Sequence, residues 1–244
     1  MNPSTMLRAG TDKHRLLVPV VLLCGLCVLC GELLAAMRLP APRASLNFTA
    51  TGDRVACGSA AMLDNLDSYT GLAWVYRNAA AATGRKVFSK GDNPIHNFQL
   101  TGASGDMQFN RFRATSNAQA TTNTTPVALN TWVFLAWSFD TGASAGNVAK
   151  VYHGTLTSIA VEASYGVNSD GSGTPNDDAA ADLAIGNRST GASFDQPFPG
   201  RIAFLAIYDR VLTLAELRAM QFRPFCHSPD CKLFVQLGWG GAGA

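Results

Sequence analysis

The sequence predicts an all-β sandwich from about residue 44 to about residue 221, and three observations predict it. Short apolar runs alternate with turns rich in Gly, Asn, Asp and Ser, and Gly alone supplies 23 of 244 residues. Two runs, 132–140 (WVFLAWSFD) and 200–209 (GRIAFLAIYD), are apolar on both strand faces, as central strands packed from two sides must be. Helical and strand patterns do not alternate, which disfavours a parallel α/β sheet. Apolar residues make up 47% of the chain and charged residues 15%, so a large core is expected and extended disorder is not.

The elements follow in order. Leu46 and Phe48 alternate with polar residues. After the Thr51-Gly52 turn, 53–57 is a second short run. Residues 69–76 (YTGLAWVY) form a strong strand around Trp74, and 84–91 (GRKVFSKG) a short one between glycines. Residues 97–101 and 105–113 pair as a hairpin; Phe112 breaks their inward-outward parity, which marks a bulge or a strand end. Residues 117–125, rich in Thr, Asn and Ala, read as a loop. Strand 132–140 follows and pairs with 148–153 through a Gly-Ala-Ser turn; 169–181 (SDGSGTPNDDAAA) reads as a long flexible loop. Residues 182–187 and 200–209 complete the sandwich. Two layers of strands are expected to enclose Trp74, Leu135 and Phe204. Thr213 and Glu216 have the spacing of a capping box, with Leu212 and Leu217 as the hydrophobic staple, so a short helix is expected from Leu214 to about Gln221. The tail offers one further strand in KLFVQLGW.

Residues 1–15 are basic and 16–37 read as an N-terminal hydrophobic helix. Residues 16–31 (LLVPVVLLCGLCVLCG) carry no charge; Arg8, Lys13 and Arg15 precede them and small residues follow. That pattern fits an export signal. It also fits a membrane anchor with the N-terminus inside, or a start placed too far upstream. Cys24, Cys27 and Cys30 have no His or acid nearby, so their spacing is not read as a metal site. A Pro-containing linker (38–43), the sandwich (44–222) and an extension (223–244) complete the organisation. An extracellular or cell-surface location is expected. In that compartment Cys226 and Cys231, which flank a turn-like HSPD, are candidates for a disulfide, with Cys57 left over. Asn47, Asn123 and Asn187 fit the N-glycosylation pattern.

Four stretches, YTGLAWVYRN, GRKVFSKGD, NTWVFLAWSFD with VAKVYHGT, and ADLAIGN followed by FPGRIAFLAIYDRVLTLAEL, resemble in that order the laminin-G-like branch of the concanavalin A-like lectin/glucanase superfamily. The resemblance spans about Leu46 to Met220. It implies a jelly-roll sandwich of two antiparallel sheets, and partners among glycans, proteins or cell surfaces, often with calcium. Where relatives commonly carry Asp-Gly after the central strands, this chain has His153-Gly154.

The superfamily's glycosidases need two carboxylates close on one strand face. The three glutamates, Glu32, Glu162 and Glu216, stand apart, and adjacent Asp177 and Asp178 would point opposite ways on a strand. No G-x-S-x-G elbow occurs. A non-catalytic recognition or adhesion module binding a glycan or protein surface through rim loops is therefore expected; the alternative is a structural assembly component of a virion, surface layer or appendage. The candidate ligand-binding residues are Trp137, Tyr165, Asn187 and Phe194. For calcium the candidates are Asp140, Asp177 and Asp195, with Asn147, Asp178 and Asn187 as further loop-placed oxygens. The net charge is +2, no basic cluster lies in the body, and Arg111 and Arg113 read as solvated strand positions, so nucleic acid is not an expected partner.

Overall fold

In the computed structural model, residues 41–42, 45–80, 82–91, 95–189, 195–222 and 229–236 are described. The strands are β1 (Leu46–Phe48), β2 (Val55–Gly58), β3 (Ser68–Arg77), β4 (Arg85–Lys90), β5 (His96–Leu100), β6 (Met107–Arg111), β7 (Ala118–Thr122), β8 (Trp132–Asp140), β9 (Ala149–Thr155), β10 (Val161–Glu162), β11 (Tyr165–Ser169), β12 (Leu183–Ile185), β13 (Gly200–Tyr208) and β14 (Cys231–Gln236). Among the described residues one α-helix, α1, spans Leu214–Phe222. The predicted N-terminal helix lies outside the described residues. Among the described residues no helix is long and apolar enough to cross a membrane.

The strands form two antiparallel sheets, a jelly-roll sandwich. The first has the order β1-β13-β3-β8-β9-β10, with β14 beside β1 on the same edge of β13. The second has the order β11-β7-β6-β5-β4-β12-β2. The two doubly apolar runs, β8 and β13, are interior strands of the first sheet. Segment 117–125, expected to be a loop, contributes strand β7. Its Ala118 and Ala120 point into the core while Gln119 and Thr121 point outward, a period-2 pattern that low hydrophobicity disguises.

The core has two parts. Between the sheets lie Val75, Leu135, Trp137, Phe88, Phe98, Phe109 and Leu205. On the other face of the first sheet lie Trp74, Trp132, Phe134, Phe204, Tyr208 and the helix residue Leu217. Trp74 and Phe204 are therefore buried under α1 and not between the sheets, as strand parity requires: their neighbours Val75 and Leu205 fill the inter-sheet side.

α1 is held at both ends. The Thr213 amide donates to Glu216 Oε2 at 2.8 Å, and the Glu216 amide donates to Thr213 Oγ1 at 3.3 Å, closing the capping box. Arg210 bonds the same carboxylate and holds the Glu216 carboxyl down at about 2. At the C-terminal end Gln221 is fully buried. Its Nε2 donates to the carbonyls of Thr155 and Ser158, its Oε1 accepts the Ala160 amide, and its own carbonyl accepts Trp74 Nε1. Gly154 makes room for this: a Cβ there would stand 2.7 Å from Gln221 Nε2. That is what the glycine of His153-Gly154 does in this chain.

Replacing Gln221 by Ala strands one buried amide and two carbonyls. We expect a loss of about 2–4 kcal/mol in urea unfolding. A loss below about 0.5 kcal/mol, the scale of a neutral surface substitution, contradicts the clamp.

Candidate functional site

The predicted site residues do not converge. Trp137 is fully buried between the sheets, stacked on Phe98 at 4.5 Å and 5.5 Å from Phe88. It cannot stack on a ligand, which corrects its reading as a binding residue. Asn187 is likewise buried: its Nδ2 donates to the Asp53 carbonyl and its Oδ1 accepts the Arg188 and Gln196 amides, so it shapes a turn and is closed to a ligand or a glycan. Tyr165 packs against the core from β11, and its hydroxyl lies 2.9 Å from the Val151 amide and 3.2 Å from Glu162 Oε1; burial pushes its phenol up. Phe194 lies outside the described residues.

The calcium candidates are each occupied separately. Asp140 Oδ1 accepts from the Ser68 hydroxyl and the Gly142 amide. The Ala179 amide and the Asn65 side chain hold the Asp177 carboxyl below its usual range. Asp195 pairs with Arg188 at 3.0 Å. Among the described residues no three His, Cys, Asp or Glu side chains gather as a metal-holding group. Cys231 is disulfide-bonded, whereas Cys226, its expected partner, lies outside the described residues. Cys57 is a free thiol, half-buried on β2.

What the strands do bring together is a polar floor on the outer face of the second sheet. Inward residues Phe98, Phe109 and Ala120 alternate with outward Asn97, Gln99, Gln108, Asn110, Gln119 and Thr121. Cross-strand register lines these up in two rows over four strands. One is Lys86-Gln99-Gln108-Thr121, the other Ser89-Asn97-Asn110-Gln119. In the first row Lys86 Nζ donates to Gln99 Oε1, Gln99 Nε2 to Gln108 Oε1 at 2.7 Å, and Gln108 Nε2 to Thr121 Oγ1 at 3.1 Å. The ammonium thus orients the amides behind it. Asn110 Nδ2 ties the rows together, donating to Asn97 Oδ1 at 3.2 Å and Gln108 Oε1 at 2.9 Å.

Apart from Ser89 and Thr121, these rows floor an open depression of about 410 Å³, with Phe112, Thr83, Gly84, Arg188 and Gln196 around them. Gln196 Oε1 is buried with no hydrogen-bond partner. Phe112, the residue that broke parity in the sequence, follows the last residue of β6 and puts an aromatic ring at this floor. The amides were missed because each alone reads as a solvated strand residue. The available signal was the shared parity of Gln and Asn in neighbouring hairpin strands.

A second polar cluster lies on the inward side. Lys90, His96 and Arg111 are cross-strand neighbours facing the core, where Asp178 enters from the loop before β12. Lys90 Nζ bonds Asp64 Oδ1 at 2.9 Å and Asp178 Oδ1 at 3.0 Å. His96 and Arg111 each stand 3.4 Å from Asp178 Oδ2, and Tyr69 Oη is 2.7 Å from His96 Nδ1. Arg111 is therefore a buried ion-pair partner and not a solvated strand residue. It is buried because the strand's inward parity leaves it facing a carboxylate. The cluster is enclosed, so it serves the fold.

Residues 49–218 match the family model Laminin_G_3, of the concanavalin A-like lectin/glucanases superfamily. The chain belongs to the concanavalin A-like lectin/glucanase superfamily. Solved structures share this superfamily chain's fold at low identity. A Bacteroides ovatus protein named as a candidate carbohydrate-binding protein matches at 16% identity and TM-score 0.56, over 82% of this chain and 53% of that one. Tailspike protein 2 of bacteriophage CBA120, its enzymatically active domain, matches at 12% and 0.59, over 82% and 31%. The CBM40 of the Ruminococcus gnavus IT-sialidase matches at 14% and 0.52, over 73% and 96%. The chain thus spans about half of the first and a third of the second. A search of curated proteins found no match.

Burial, with Arg111 and Lys90 alongside, holds His96 well below its ordinary value of 6.5. Burial lowers His153 too. Below that value the unfolded chain takes up protons that the native chain refuses, so stability must fall as pH drops. We expect the urea midpoint to decline from about pH 7.5 to about pH 5.5, and His96→Gln to flatten the decline. An unchanged slope in that variant contradicts the assignment.

Proposed function

We propose that this chain is a non-catalytic glycan-binding module whose ligand lies on the outer face of the second sheet. The observation that carries the reading is the pair of cross-strand amide rows in a depression that also holds an aromatic ring. Sugar hydroxyls are donors and acceptors at once, and an amide side chain offers both partners from one rigid group. Phe112 supplies an apolar surface for a sugar ring's C–H face. Mounting the amides on three paired strands, and not on loops, keeps them in place before a ligand arrives.

No Asp or Glu is among the described residues that line the depression. Glycoside hydrolysis needs two carboxyl groups about the scissile bond, so the lining supports binding and not turnover. An exported location belongs to the same proposal; the apolar run 16–31 and the Cys231 disulfide support it.

A glycan array followed by titration calorimetry tests the reading. We expect binding to at least one glycan class. Gln99→Ala and Asn110→Ala should each weaken it about tenfold or more, the loss of a hydrogen bond or two, without a matching fall in melting temperature. Failure to bind any glycan, together with sedimentation as large oligomers, favours an assembly role instead.

A further inference from the structure

We infer that the glycan held at the amide floor carries an acetamido group, and that Asn97 and Asn110 are the residues that select it. The inference rests on the glycan-binding reading and adds the chemical class of the sugar to it.

The first row orients the second. An ammonium only donates, so Gln99 turns its oxygen to Lys86 and its NH2 group to Gln108 Oε1. Asn110 meets that same oxygen with its own NH2 group, at 2.9 Å, and gives its other N–H to Asn97 Oδ1 at 3.2 Å. Both N–H bonds of Asn110 are thereby used. What the asparagine pair has left is fixed in kind: Asn97 Nδ2 as a donor and Asn110 Oδ1 as an acceptor. Neither atom makes a hydrogen bond among the described residues.

Both side chains line the depression, yet Asn97 is only 3% exposed and Asn110 only 7%. Polar atoms left unpaired in so enclosed a place are costly, and a ligand group that meets them removes the penalty. The two atoms are the outer ends of a bonded pair, so they stand apart. A secondary amide suits them, because it carries its acceptor and its donor on two atoms of one rigid plane. Its carbonyl oxygen would accept from Asn97 and its N–H would donate to Asn110. A hydroxyl has a single oxygen for both roles and rotates freely, so it reaches less and selects less. The acetamido methyl also gives the Phe112 ring an apolar group to cover.

Matched probes test this. Calorimetry on the full chain should compare chitotriose with cellotriose, which share linkage and configuration and differ in the group at C2, and N-acetylgalactosamine with galactose. We expect the acetamido member of at least one pair to bind about tenfold or more tighter. Asn97→Asp keeps the side chain's shape and the oxygen that Asn110 bonds, but puts an acceptor where the donor stood. It should bring the affinity ratio of that pair close to one. Asn97→Ala, which removes the donor outright, is the second variant should the first unfold, and should do the same. Equal affinity within both pairs, binding confined to sugars without an acetamido group, or a preference that survives in a folded Asn97 variant overturns the inference but leaves a glycan module standing. Absence of binding to any probe, and to any sugar on the array, overturns both.

Discussion

The packing of Trp137 on Phe98 through the gap left by Gly71 sets the geometry on which the rest depends. Gly71 faces Trp137 across β3 and β8, and a Cβ there would lie 2.1 Å from the indole. The indole therefore settles over glycine and reaches across to β4 and β5, stacking on Phe98 and touching Phe88. A buried aromatic of this size contributes about 3–5 kcal/mol, so the second sheet cannot slip by one residue without losing it. With Phe98 locked inward, Asn97 and Gln99 must point outward. The neighbouring strands inherit that parity through their ladders, and the two amide rows follow.

The sheets differ in what covers them. The first is buried on both sides, because α1 and its clamp at Gln221 close over Trp74, Phe134 and Phe204. Among the described residues the second sheet turns a broad polar face outward. Behind it, Lys90, His96 and Arg111 gather Asp178 from the long loop before β12 and fasten that loop to the sandwich. A buried carboxylate that answers two cations is costly to disturb, and it holds the strand ends beneath the depression. The framework thus presents a fixed polar surface on rigid elements.

Much of the fold was legible in the sequence. Trp132 and Trp137 are separated by an odd number of residues, which places them on opposite faces of a strand, and the structure buries one on each side of the first sheet. The Thr213–Glu216 spacing located α1. Where reading failed, the cause was specific. Strand β7 looked like a loop because its inward residues are only alanines. Arg111 looked solvated because nothing local says that Asp178, far along the chain, will meet it. Trp137 looked available because aromatic character alone does not reveal which face is covered. The amide floor could not be read residue by residue: Gln99 acquires meaning only beside Gln108 and Lys86, and that adjacency belongs to the register.

The most direct measurement is a crystal structure of the full chain with a bound oligosaccharide taken from the array. The account predicts a sugar ring over the outer face of β4 to β7, with hydroxyls within hydrogen-bond distance of Gln99, Gln108 or Asn110. A ligand seated on the loops at the sandwich rim, or against α1, with the amide rows still bonded only to each other, would contradict it.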